Sequence, residues 1–237
     1  QNASLLVAAF EGSGHSIIGG ERFEWAPFDT VAVPGGHWCE HVNGSDSEPA
    51  VLFVASDALP MLDVRLVMAA GSSRDNGVAG LSSLTSALLG EGAAGLNVDD
   101  ISRGFEDHGA QFDVGSYRDM GVVELRTLSD PEFRDPVLTL FNQVIATPSF
   151  PQDALDRIRT QMMQGLRMEQ QVPGPQVKKA YLATVFAGHP YGEPSDGTLA
   201  TLPAITREQL VEFYNTYYAA GNTVIAMVGD VSREQAE

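Results

Sequence analysis

Three side chains that bind metals or act as nucleophiles fall on alternate positions of one short run, GGHWCEHVNG: His37, Cys39 and His41. Alternate residues of a strand project to one side, so this spacing gathers two imidazoles and a thiol on a single face. With Glu40 and the more distant His15, such a set offers an iron site, and a thiol between imidazoles offers a nucleophile. The same run fits rim and core positions of a small β module, where none of these groups does chemistry.

Elsewhere the chemistry is thin. No G-x-G-x-x-G, P-loop, G-x-S-x-G or paired-cysteine motif occurs, which removes local support for dinucleotide, phosphate-cradling and common hydrolase sites. His189 in GHPYG, followed by Glu193, reads as a turn-fixing residue. The carboxylate pairs Asp99/Asp100 and Glu106/Asp107 read as solvated helix positions. In GVAGLSSLTSALLGEGA, Leu81, Leu84 and Leu88 lie at i, i+3 and i+7 of a short helix. The positions between them are small and neutral: Ser82, Ser83, Thr85, Ser86 and Ala87.

The elements that must position these residues fall into two textures. Up to about residue 57, runs such as SLLVAAF, HSIIGG, ERFEW, DTVAVPG and AVLFVAS alternate with Gly, Pro, Asn and Asp, a pattern of short strands without helical period. From residue 62 a strand, LDVRLVMAAG, opens a series of helices and strands. Asn97 with Asp100 marks an N-cap, and QFDVGSY and GVVELRTL form a strand pair around a turn at Arg118, Asp119 and Met120. Asp135 and Pro136 are read as N-cap and first residue of a helix whose stripe is Val137, Leu140, Phe141, Val144 and Ile145. A further helix is expected from 152 to 169, another from 176 to 186 after VPGP, and a third opening on the capping box of Thr206 and Gln209. The strand TVIAMVGDV closes the series. Antiparallel strands with segregated helices imply an α+β fold, a sheet with helices packed on one face.

Composition bounds the function. The chain has 237 residues, 31 acidic against 14 basic, for a net charge of −17. Scattered basic residues in so acidic a chain exclude a nucleic-acid surface, and no apolar run is long enough for a membrane span. The single cysteine excludes an internal disulfide. The chain starts at Gln1 without a signal peptide and stops at GDVSREQAE, where a helix begins, so a piece cut at both ends is expected.

LPMLDVRLVMAAGSSRD, GVAGLSSLTSALLGEGA, FEDHGAQFDVGSYRD, ATPSFPQDALDRIR, VFAGHPYGEPSDGT and TREQLVEFYNTYYAAGNTVIAMVGDV resemble, in order and spacing, the N-terminal domain of a half-molecule of the pitrilysin/insulinase metallopeptidases, a family also seen in mitochondrial processing peptidase. The resemblance covers about residues 59–237. Catalytic members carry H-x-x-E-H on the first helix, two His binding zinc and the Glu activating water. Laid on that pattern, Ser83 and Ala87 take the His positions, Ser86 the Glu, and Gln164 the distal Glu ligand. Asp113 replaces an Asn that helps hold substrate, with Val114 and Gly115 beside it on the strand that an extended peptide would extend. The resemblance therefore implies a non-catalytic member without cofactor. It pairs with an active H-x-x-E-H subunit or half around a peptide chamber, and the family places such proteins in the periplasm, among other compartments.

FEGSGHSIIGGERFEW, VAVPGGHWCEHVN and EPAVLFVASD resemble part of the C-terminal cupin of gentisate 1,2-dioxygenase-like proteins. The expected division is thus a partial cupin-like β segment over 1–57, about half a jelly roll, and a pitrilysin-like domain over 58–237 truncated at its C-terminus. Two alternatives follow from that segment: a ring-cleaving dioxygenase fragment with Fe2+ held by His37, Glu40 or His41 and His15, or a chimera without an evolved joint function.

Overall fold

The computed structural model describes residues 5–34, 37–45, 47–56 and 60–236. The chain divides into two units, residues 1–61 and 62–237. The boundary expected at 57/58 falls on residues 57–59, outside the described residues.

In the first unit the period-2 runs give six strands: β1 (Leu5–Glu11), β2 (Gly14–Ile18), β3 (Glu21–Trp25), β4 (Thr30–Val33), β5 (Cys39–Asn43) and β6 (Val51–Ser56). They form two three-stranded antiparallel sheets, ordered β4-β1-β6 and β3-β2-β5. A small core of Val7, Ile18 and Val33 lies within this unit, flanked by Val31, Cys39 and Leu52. So few apolar side chains bury little surface, and all four edge strands lack a partner on one side among the described residues.

The second unit is built on a four-stranded sheet in the order β10-β11-β7-β12, from β7 (Met61–Met68), β10 (Gln111–Ser116), β11 (Gly121–Leu128) and β12 (Thr223–Gly229). A two-residue pair, β8 (Gly92–Ala93) and β9 (Leu96–Asn97), lies between β7 and β10 in sequence. One sheet face carries Leu62, Val64, Met68, Val123 and Leu125, all buried. The opposite face carries ion pairs across β7 and β11, Arg126 with Asp63 at 2.6 Å and Arg65 with Glu124 at 3.0 Å, all about half exposed. Charges on one face and aliphatics on the other admit helices on a single side, the two-layer α+β arrangement expected.

Seven α-helices lie among the described residues: α1 (Leu81–Ala87), α2 (Val98–Glu106), α3 (Pro131–Ala146), α4 (Gln152–Glu169), α5 (Pro173–Val185), α6 (Arg207–Tyr217) and the short α7 (Arg233–Ala236). Leu84 and Leu88 are wholly inaccessible and join Ile101, Phe105, Val137, Phe141, Val144, Leu155 and Leu210 in one core. Each such leucine is worth roughly 2–3 kcal/mol of apolar burial. Two caps match expectation. Asn97 accepts from the Asp100 N–H at 3.0 Å while Asp100 accepts from the Asn97 N–H at 3.3 Å. Thr206 and Gln209 reciprocate in the same way at the start of α6.

Two helix starts differ from the sequence reading. The N-cap of α3 is Asp130, whose Oδ1 accepts from the Glu132 N–H at 3.0 Å, so Pro136 lies inside the helix. The sequence SDPEFRDP offers two Asp-Pro starts, and the earlier one adds a turn of helix for the loss of one N–H. Helix α5 begins at Pro173, not near 176. Both prolines of VPGP fall in the first turn, where the backbone N–H groups lack helical partners in any case.

Candidate functional site

Helix α1 is where a zinc-binding motif would lie, and its local structure is set from outside the helix. Gly80 precedes it at φ +93, and a Cβ there would stand 2.8 Å from the Gly197 Cα, so the position admits only glycine. Gly80 has no side chain to cap the helix, and Asp75 takes the role: its Oδ2 accepts from the Gly80 N–H at 2.9 Å and its Oδ1 from the Ser82 N–H at 2.8 Å. Asp75 is 4% exposed. Burial pushes its carboxyl up to about 6, against the lowering effect of the Ser82 and Gly80 N–H groups.

The family-pattern positions hold no ligand set. The Ser83 hydroxyl donates to the Ser195 carbonyl at 2.9 Å, Ser86 is buried, and Ala87 is exposed on the outer side of the helix. Gln164 is exposed on α4. One hydroxyl already committed to a carbonyl, one buried hydroxyl, a methyl and an amide do not fit a catalytic zinc, which takes three His, Cys or carboxylate ligands. The Tyr218 hydroxyl lies beside Ser86, enclosed enough that burial pushes it up to about 12, with the Ser86 hydroxyl opposing. The pair does not reach good hydrogen-bond geometry. Among the described residues no three His, Cys, Asp or Glu side chains are grouped to hold a metal.

A latch closes over the N-terminal end of α1. The Arg118 guanidinium donates to the Tyr191 carbonyl at 2.7 Å and the Glu193 carbonyl at 3.3 Å, and lies 5.8 Å from the Tyr191 ring centroid. The Tyr191 hydroxyl donates in return to Asp119. His189 acts as the turn-fixing residue expected, its Nδ1 accepting from the Tyr191 N–H at 3.1 Å. A cleft of about 240 Å³ lies between this loop and the segment from Ser72 to Ala79. Both Asp75 oxygens and His189 Nδ1 accept from backbone N–H groups, and Glu193 also lines the cleft.

Asp113, Val114 and Gly115 lie on β10, an edge strand of the sheet. Asp113 is exposed, accepts from the Val114 N–H at 2.9 Å, and stands opposite Glu124 in the register. Two facing carboxylates disfavour an anionic ligand there.

The iron site of the first unit does not assemble. In the register Ser16 faces His41 and Ile18 faces Cys39, while His15 faces Val42 and Ile17 faces Glu40. His41 and Cys39 therefore share one sheet face, and His15 and Glu40 the other. His41 instead joins a buried network: Ser16 Oγ lies 2.7 Å from His41 Nδ1 and accepts from Trp25 Nε1 at 3.0 Å. His37 precedes β5, with its ring against Gly19.

Sequence reasoning missed Asp75, Ser195 and the Arg118–Tyr191–Asp119 latch. Asp75 sits in SSRDNG, which reads as an ordinary turn, and nothing local shows that the turn folds back onto a helix.

The second unit is a two-layer α+β domain in which one face of a four-stranded sheet carries the helices. The chain belongs to the insulinase family, peptidase family M16: that family's pattern matches residues 51–198, and the pattern of the M16 inactive domain matches residues 204–237. The crystal structure of a peptidase M16 inactive domain from Pseudomonas fluorescens is 47% identical, with a TM-score of 0.74 over 75% of this chain and 43% of that one. The non-peptidase homolog YmxG of Helicobacter pylori is 22% identical over 196 residues, 82% of this chain and 45% of YmxG. The periplasmic protease PqqL from Escherichia coli shares the fold at 17% identity and a TM-score of 0.67, over 75% of this chain and 20% of PqqL. The chain thus spans less than half the length of these relatives. The family match begins at residue 51, and the cupin resemblance of the first 57 residues finds no support in these relatives.

Proposed function

We propose that this chain is the non-catalytic half of a two-part M16 assembly, pairing with an H-x-x-E-H subunit and helping to wall its peptide chamber. The observation that carries the reading is α1: the helix keeps its cap, its packing and its place in the sheet layer, while Ser83, Ser86 and Ala87 replace every group that would bind zinc or activate water. A scaffold retained without its chemistry fits a partner role better than a catalytic one. The free edge of β10 is the surface on which an extended peptide would add a strand. The periplasm is the proposed compartment, by analogy with PqqL, and no helix among the described residues is long and apolar enough to cross a membrane.

The test has two arms. Purified chain, supplied with zinc, is assayed on a mixed peptide library, and the same chain is co-expressed with a tagged H-x-x-E-H member of the family. Expected are no cleavage by the chain alone and a stoichiometric complex with cleavage from the pair. Zinc-dependent cleavage by the isolated chain, abolished by a chelator, overturns the reading.

A further inference from the structure

Strand β1 is apolar on both sides. Val7 and Ala9 point into the small core of the first unit and are 2% and 3% exposed. The residues of opposite parity, Leu6, Ala8 and Phe10, point outward, and the register places Ala32 and Thr30 of β4 and Phe53 of β6 beside them. Leu6 is 50%, Phe10 61% and Phe53 69% exposed, and the row ends in a carboxylate, Glu11, which a bulge in β1 sets opposite Val51. An antiparallel sheet with one face in water normally alternates apolar and polar residues. This one does not, although the chain around it is strongly acidic.

A second observation concerns Phe28. Ala26, Pro27, Phe28 and Asp29 form a turn closed by the Asp29 N–H on the Ala26 carbonyl at 3.0 Å and by the Ala26 N–H on Asp29 Oδ2 at 2.8 Å. Proline at the second position and φ +73 at the third are the marks of a type II turn, whose third position favours glycine. Phe28 occupies it instead, with its N–H donating to the Ala9 carbonyl at 2.7 Å and its ring edge-on to Phe10, centroids 6.5 Å apart. It is 83% exposed. A strained backbone thus holds a large ring in water at the margin of the apolar face.

We infer that the outer face of the β4-β1-β6 sheet is a self-association surface, covered by the same face of a second copy of this chain. The face is mainly apolar, and its flanking carboxylate, Glu11, repels rather than selects a nucleic acid or an acidic peptide. Across a two-fold axis it meets an equally apolar surface, and each contact is made twice. With aromatic side chains of about 150–250 Å² each, the three phenylalanines alone withdraw roughly 400 Å² per copy from water. Adding Leu6 and the small residues between brings the pair close to the lower end of stable interfaces, about 1,200 Å² in total. Because both copies are acidic while the contact is mainly apolar, added salt screens their repulsion and tightens the dimer.

Sedimentation equilibrium on the full chain, from about 1 to 100 µM protein and at about 50 and 500 mM salt, tests this. Expected is a monomer–dimer equilibrium that tightens severalfold at the higher salt. Phe10→Ser or Phe53→Ser weakens it by about tenfold or more. Phe28→Gly keeps the variant experiment clear of misfolding: it gives the turn the residue it favours, so the thermal midpoint holds or rises while association weakens about tenfold. A monomer at every concentration overturns the inference, as does a dimer indifferent to Phe28→Gly and Phe10→Ser. A monomer that binds phosphatidylcholine vesicles, and loses that binding with Phe28→Gly, also overturns it and assigns the face to lipid.

Discussion

Asp75 makes the stability of the second unit depend on pH in an unusual sense. Its carboxyl is raised from an ordinary 3.8 to about 6 by burial. The folded chain therefore holds that proton more tightly than the unfolded chain does. The stabilisation is fully present below pH 3.8 and is lost as the pH rises through 6, beyond which it stays flat. At 1.36 kcal/mol per pH unit, the whole change is worth roughly 3 kcal/mol. Most carboxylates act in the opposite direction, so the term is isolated by difference. Asp75→Asn removes the titration but leaves one of the Gly80 and Ser82 N–H groups unpaired, a cost of about 1–3 kcal/mol that does not vary with pH. Urea unfolding of parent and variant at a series of pH values between 4 and 8 gives the comparison. The parent is expected to lose about 2–3 kcal/mol relative to the variant between pH 4 and 7, with most of the change before pH 6.5. Parallel curves, or a parent that gains relative stability as pH rises, would mean that the two N–H groups outweigh burial, and the assignment would be refuted.

Three further outcomes follow from the same core and site. Leu84→Ala empties a wholly buried position between α1 and the sheet and should cost about 2–5 kcal/mol in denaturant unfolding. Gly71→Ala places a methyl 2.4 Å from the Met120 nitrogen and 2.5 Å from the Arg118 and Tyr117 carbonyl oxygens. That backbone cannot yield without moving the β10–β11 turn, so the thermal midpoint should fall further than for Leu84→Ala. Ser83→Ala removes the bond to the Ser195 carbonyl, at about 1 kcal/mol, and should show as faster limited proteolysis within residues 188–198 with little change in global unfolding.

Elements carried by local chemistry were legible in the sequence, and those decided by distant partners were not. Helix α4 has the expected bounds because its signals, a proline before it and a break after it, are all adjacent in the chain. The boxes at Asn97 and Thr206 are likewise three-residue signals. The start of α3 was ambiguous because two Asp-Pro pairs compete, and in the fold the earlier one prevails, with Asp130 capping the Glu132 N–H. The candidate site divides in the same way. The residue types on α1, small and neutral at Ser83, Ser86 and Ala87, are read directly from the sequence. The Ser83 bond to Ser195 joins residues 112 positions apart, and no local rule reports such a contact. Strand parity put His37, Cys39 and His41 together correctly as far as Cys39 and His41 go, but the metal reading also needed His15, and a neighbouring strand's register sent it to the other face.

The sheet order carries a consequence for the chain as it is made. Strands β10 and β11 are hairpin neighbours and can pair as soon as both exist, whereas β7 lies between β11 and β12, with Met68 against Thr223. At a synthesis rate of about 5–20 residues per second, the roughly 150 residues between those partners take on the order of 10–30 s to emerge. For that interval one edge of β7, apolar on its inner face, has no strand to meet. A nascent chain of this kind is exposed to chaperones and to neighbouring ribosomes for longer than its size alone would suggest, and the last strand to appear is the one that ends the exposure.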